Sequence, residues 1–187
     1  MLGPDDPLPR RPLRVLVAGT SGAGKTTLAR AVAGVLGVPH TEIDALYHGP
    51  GWVPRSSFEA DVAAFSAGPA WVTEWQYSSV RELLADRADL LVWLDLPLRT
   101  VLRQVVARTL RRRLGRQVLW NGNLEPPLRT FLTDREHIVR WAWSSHRPTA
   151  ERVRAVEGSR PRLVVVRLRS RREARRWVEG PLGAAAG

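Results

Sequence analysis

The octapeptide Gly19-Thr20-Ser21-Gly22-Ala23-Gly24-Lys25-Thr26 narrows the folds open to this chain more than any other feature. It follows the pattern Gly, four residues, Gly-Lys-Ser/Thr, and lies between an apolar run at 13–18 and an amphipathic stretch at 25–36. A buried strand that delivers a glycine-rich turn into the start of a helix is the setting in which such a loop wraps phosphate. Its glycines let main-chain N–H groups approach the phosphate oxygens, and the positive end of the helix adds to the attraction. Lys25 is expected to neutralise the outer phosphates, and Thr26 to place its hydroxyl on magnesium. Residues 19–26, with Thr27 beside them, form the expected nucleotide site, and ATP (or another nucleoside triphosphate) with Mg2+ is the expected cofactor pair.

Beyond the loop, short apolar runs alternate with amphipathic stretches, the pattern of an α/β parallel sheet flanked by helices. Strands are predicted at 13–18, 40–43, 70–74, 89–95 and 163–168. Helices are predicted at 25–36, 58–65, 78–87, 98–113 and 171–178, with one helix or two over 131–156. Residues 114–130 hold Gly115, Asn121-Gly122-Asn123 and Pro126-Pro127. A connection this long with such turn signals reads as a short mobile lid. The chain has 187 residues, enough for one domain with a sizeable core, placed at 13–179. The Pro- and Arg-rich residues 1–12 read as a disordered leader, and 180–187 as a flexible tail.

Composition excludes some chemistry. With no cysteine, the chain has no disulfide framework, thiolate metal site or cysteine nucleophile. His40, His48, His137 and His146 lack metal-ligand spacing, so no metal beyond the magnesium is expected. No run approaches the ~20 apolar residues needed to span a bilayer, which makes a cytoplasmic protein without membrane contact the expectation. The net charge of +11 suits anionic partners without choosing among them. Lys25 is the single lysine; every other side chain of the Lys/Arg class is arginine. Arginine grips phosphate as a planar fork, whereas lysine supplies a compact point charge.

Further motifs carry a resemblance. They are the segment from Pro39 to His48, Gly51-Trp52, the segment from Val92 to Pro97, Leu119-Trp120-Asn121-Gly122-Asn123, and the segment from Ile138 to Trp143. With the phosphate loop, these resemble the small P-loop kinases of the adenylate kinase and shikimate kinase type, in particular the bacterial adenylate kinase-like and topology modulation proteins. The resemblance implies a P-loop NTPase fold with a five-stranded parallel sheet, an acceptor segment after the first helix, and an arginine-bearing lid that closes over the triphosphate. Relatives of the topology modulation type often carry Asp-Gly-Asn-Tyr after the third strand, where this chain has Glu74-Trp75-Gln76-Tyr77. Carboxylate, amide and tyrosine keep their order while the glycine has become tryptophan.

The remaining candidates follow from position. Asp44 comes after the second strand, at the sheet edge where doubly wound folds bind ligands. It is expected to orient the acceptor or take its proton, although a turn-capping role competes. Glu74 ends the third strand and is expected to hold magnesium through water, ahead of Asp95, which precedes Pro97 and reads equally as a helix cap. Arg103, Arg108 and Arg112 lie on the approach to the lid, where arginines stabilise the charge of a transferring phosphoryl group. A solvated basic face is the competing reading. Trp52, Trp75 and Tyr77 are the candidates for an acceptor wall. The leading function is a kinase that phosphorylates a small molecule, foremost a nucleotide or nucleoside-like compound. A nucleic-acid-associated ATPase or polynucleotide kinase comes second, and a slowly hydrolysing nucleotide-binding protein third.

Overall fold

Val15, Leu16, Val17 and Ala18 have no exposed surface, and a strand without polar alternation must be covered on both faces. The computed structural model describes residues 1–114, 120–123 and 138–187, without the side chains of 112–114, 120 and 138–147. In it β1 (Arg14–Gly19) is the middle strand of a five-stranded sheet. The others are β2 (His40–Thr41), β3 (Trp71–Glu74), β4 (Leu90–Leu94) and β5 (Val164–Leu168), in the order β2-β3-β1-β4-β5. All pairings are parallel, with Val15 opposite both Val72 and Leu90. The Asp89 carboxylate fixes the entry to β1 by accepting from the Leu13 and Arg14 N–H groups, each at 3.1 Å.

One face of the sheet is covered by α1 (Lys25–Leu36), α5 (Leu98–Leu114) and α7 (Arg171–Trp177), which bury Leu28, Val32, Leu36, Val101, Val105 and Trp177. The other face is covered by α3 (Phe58–Ser66), α4 (Ser78–Arg87) and α6 (Ile138–Ser159) through Phe58, Val62, Val80, Leu84, Val153 and Val156. Thus α1 leaves β1 on one face while α4 leaves the neighbouring β3 on the opposite face. The carboxyl ends of β1 and β3 flank the point at which the winding reverses, where doubly wound sheets form their ligand crevice.

Several expectations change. The second strand stops at Thr41 instead of 43, because the Ile43 N–H donates to the Glu74 carboxylate at 3.1 Å and opens a short helix, α2 (Ile43–Tyr47). The leader is tied down. Leu2 pairs with β5, donating to Val165 O at 2.7 Å and accepting from the Arg167 N–H at 2.9 Å. Leu2 and Leu8 pack on the core, and Arg11 donates to Leu36 O and Ala186 O, both at 2.8 Å. The edge of β5 supplies the partners that a Pro- and Arg-rich composition conceals. The tail is likewise anchored: Leu182 is fully buried, and the chain stays helical through a wide turn at Val178–Leu182 and α8 (Gly183–Ala186). The predicted lid at 114–130 lies outside the described residues apart from Leu114 and the turn Trp120–Gly122 with Asn123, as does the start of the helix expected over 131–156. No described helix is long and apolar enough to cross a membrane.

Candidate active site at the carboxyl ends of β1 and β3

The phosphate loop leaves β1 and turns through Gly22 and Gly24, whose φ angles of 83° and 99° lie in the left-handed region that glycine adopts without cost. At Gly22 packing adds a second demand, since a Cβ there would sit 2.1 Å from Cγ2 of Val105 on α5. The Ala23 N–H and Lys25 Nζ both donate to Thr20 O, at 3.0 and 3.5 Å, while Thr27 faces solvent. Burial lowers the Lys25 pKa, the Asp44 and Glu74 carboxylates pull it back up, and the Arg108 guanidinium adds to the lowering. The same four groups therefore share one electrostatic neighbourhood. A triphosphate entering it supplies negative charge that favours the ammonium form.

Glu74 is 2% exposed. Its Oε1 lies 3.2 Å from His40 Nε2, its Oε2 accepts from the Ile43 N–H at 3.1 Å, and the Thr26 hydroxyl donates to it as well. Burial alone would raise its pKa, but these hydrogen bonds outweigh burial and hold the carboxyl below its usual range. Glu74 thus ties the start of α1 to the start of α2.

Asp44 sits in the first turn of α2. Its Oδ1 accepts from the Tyr77 hydroxyl at 2.6 Å and from the Gln76 amide. The Tyr77 oxygen is also 3.2 Å from His48 Nε2. Burial and the Asp44 charge push the Tyr77 pKa far up, so the hydroxyl keeps its proton and remains a donor. Burial lowers the His48 pKa, with Asp44 acting against it. Tyr47 stacks on Tyr77 with centroids 4.0 Å apart, and Trp52 meets His48 edge-on at 5.0 Å.

The structure therefore brings Lys25, Thr26, Asp44, Glu74, Tyr77 and Arg108 to one place, with Trp52 at its margin. It does not bring Trp75 there. That ring is 5% exposed within the core under α4, and its Nε1 donates to Arg81 O at 3.0 Å. In the extended backbone leaving β3 successive side chains point to opposite sides, so the polar neighbours of Trp75 face the site while the indole faces the core. Arg103 lies on a different face of α5 from Arg108. Five residues turn an α-helix by about 140°, so the face of α5 that brings Arg108 near Lys25 leaves Arg103 exposed. The Arg112 side chain lies outside the described residues. Asp95 is engaged with Arg167, whose Nε donates to Oδ2 at 2.8 Å.

Gln76, His40 and His48 join the site as well. Gln76 stands in the Glu74 to Tyr77 motif as its amide, and the two histidines bound the segment from His40 to His48 without metal-ligand spacing to mark them. Among the described residues no group of three or more His, Asp and Glu gathers as a metal site.

Residues 15–58 match the model of the ATPase family associated with various cellular activities (AAA), a stretch that holds the phosphate loop and Asp44 but less than half of the chain. No curated protein matches at a significant level. Among solved structures, the chain is similar to a gluconokinase from Sinorhizobium meliloti 1021, with a TM-score of 0.52, 21% identity, and coverage of 94% of this chain and 95% of that one. It is also similar to a sugar kinase from Janibacter sp. HTCC2649, with a TM-score of 0.50, 21% identity and 91% coverage of both chains. At these identities the likeness speaks for the fold. In fold the chain is a P-loop NTPase, with a five-stranded parallel sheet flanked by helices as in small kinases.

Proposed function

We propose that this protein is an ATP-dependent phosphotransferase that moves the γ-phosphoryl group of Mg-ATP to a hydroxyl of a small molecule. The observation that carries this reading is the Asp44 carboxylate, held by Gln76 and Tyr77 within electrostatic reach of Lys25. A carboxylate so placed accepts a hydrogen bond from an incoming hydroxyl and takes its proton as the phosphorus–oxygen bond forms. Lys25 and the main-chain N–H groups of the loop bind the phosphates, and Arg108 adds positive charge on the same side. Thr26 and Glu74 fit magnesium: the hydroxyl would hold the ion directly, and Glu74, already hydrogen-bonded through both oxygens, would hold it through water. When bound, the ion neutralises charge on the phosphate oxygens.

For the acceptor, nucleoside-like compounds and nucleotides remain first in this proposal, and the sugar kinase and gluconokinase neighbours add sugars and sugar acids. A second reading, action on nucleic acid, is favoured by the net charge and by the exposed Arg171, Arg172, Arg175 and Arg176 of α7. The deciding experiment measures acceptor-dependent ADP release over nucleosides, nucleoside monophosphates, sugars, sugar acids and short oligonucleotides. Release with one small-molecule class supports the proposal. A flat response to all of them, with tight and salt-sensitive oligonucleotide binding, replaces it with the second reading.

A further inference from the structure

The loop between α2 and α3 runs through backbone that few side chains adopt unaided. Gly51 has φ 66° and Trp52 φ 63°. A bulky aromatic in the left-handed region is strained, and such strain persists where the surroundings over-determine it. Here the surroundings come from about seventy residues further along the chain. Asn123, 5% exposed, accepts from the Trp52 N–H through Oδ1 at 3.1 Å and donates from Nδ2 to Gly49 O at 2.9 Å. Asn121 donates from Nδ2 to His48 O. Three side-chain hydrogen bonds thus land on the backbone of five consecutive residues. The bracing turn is itself left-handed, with Asn121 at φ 54° and Gly122 at φ 81°, a conformation that asparagine and glycine tolerate.

What the brace holds is the loop that aims His48. The His48 ring reaches the Tyr77 hydroxyl, which in turn holds Asp44. Trp52 packs edge-on against that same ring. The turn that supplies the brace follows α5, the helix that brings Arg108 toward Lys25.

We propose that Asn121 and Asn123 are positioning residues for the acceptor: they clamp residues 48–52, with Gly51 and Trp52 in the left-handed region, and so set the loop that carries His48 beside Tyr77 and Asp44. The inference rests on the acceptor site proposed above. It predicts a split between the two substrates, because a clamp on the acceptor loop leaves the phosphate loop untouched.

The test is kinetic and thermal. With an acceptor in hand, Asn123→Ala raises the acceptor KM roughly ten- to a hundredfold, while the KM for ATP stays where it was. The milder Asn121→Ala, at an exposed position, changes it in the same direction by less. An unchanged acceptor KM, or an equal rise in both KM values, overturns the proposal. Thermal unfolding reads the clamp without any acceptor. Asn123→Ala lowers Tm by about 2–4 °C. An unchanged Tm overturns the clamp. If the wild-type protein turns over no acceptor, the acceptor role falls together with the proposed function, and the melts alone decide whether the clamp exists.

Discussion

The two halves of the candidate site are built on different plans. The donor half is a single run of backbone, Gly19 to Thr26, shaped by left-handed glycines and closed on its own Thr20 carbonyl. The acceptor half is a mosaic of side chains: Asp44 and His48 from one segment, Gln76 and Tyr77 from another, Asn121 and Asn123 from a third. Partners in it lie 33 and 71 residues apart along the chain. A site made of contiguous backbone tolerates little change in its pattern. One made of scattered side chains is free to change its substrate while the fold stands.

Substitutions on the two sides should therefore separate. Lys25→Ala should act on the donor half and lower acceptor-dependent ADP release by about 10²–10³, with weaker nucleotide binding in a titration. Asp44→Asn is the contrasting case: the amide keeps the shape but cannot take a proton. Acceptor-dependent turnover should fall by about 10²–10³, while ATP affinity holds. Loss of ATP affinity in that variant would break the division between the halves.

Gly22→Ala probes the donor half structurally. The added methyl meets Val105 on α5, and overpacking of this kind costs about 1–3 kcal/mol, readable as a lower denaturant midpoint. Stability unchanged within error would mean that the loop moves aside freely. The smallest effect concerns Glu74, which joins the halves. Its folded pKa lies below 4.5, so its contribution to stability is present above that value and drains away as pH falls through the lower folded value. Glu74→Gln should flatten that acid limb in pH-dependent melts. An identical limb in the variant would assign acid sensitivity to other carboxylates.

The same contrast explains what could be read from sequence. The helices at Lys25–Leu36 and Ser78–Arg87 fall where periodicity put them, because Gly37 ends the first in a left-handed cap and the apolar spacing is unbroken. The buried strands were legible for the same reason, as short apolar runs between turn residues. The end of β2 was not, since what stops it is a carboxylate from β3 capturing the Ile43 N–H. Nor was the burial of Trp75, because which way an indole points depends on the pleat of its strand. The leader and tail mislead through composition: two leucines and an open sheet edge outweigh the four prolines and two arginines of residues 1–12. Asn121 and Asn123 read as turn residues, which they are, while their side chains reach across to a loop that spacing cannot locate.

The placement of Lys25 has a practical chemical side. It is the one lysine side chain in the protein, and burial biases its amine toward the neutral, nucleophilic form. An acylating reagent therefore finds a single lysine to modify, and it is the one in the phosphate loop. Protection of that amine by nucleotide would report occupancy as a single mass shift, and any acylation of a lysine in this chain would silence the donor half by the same stroke.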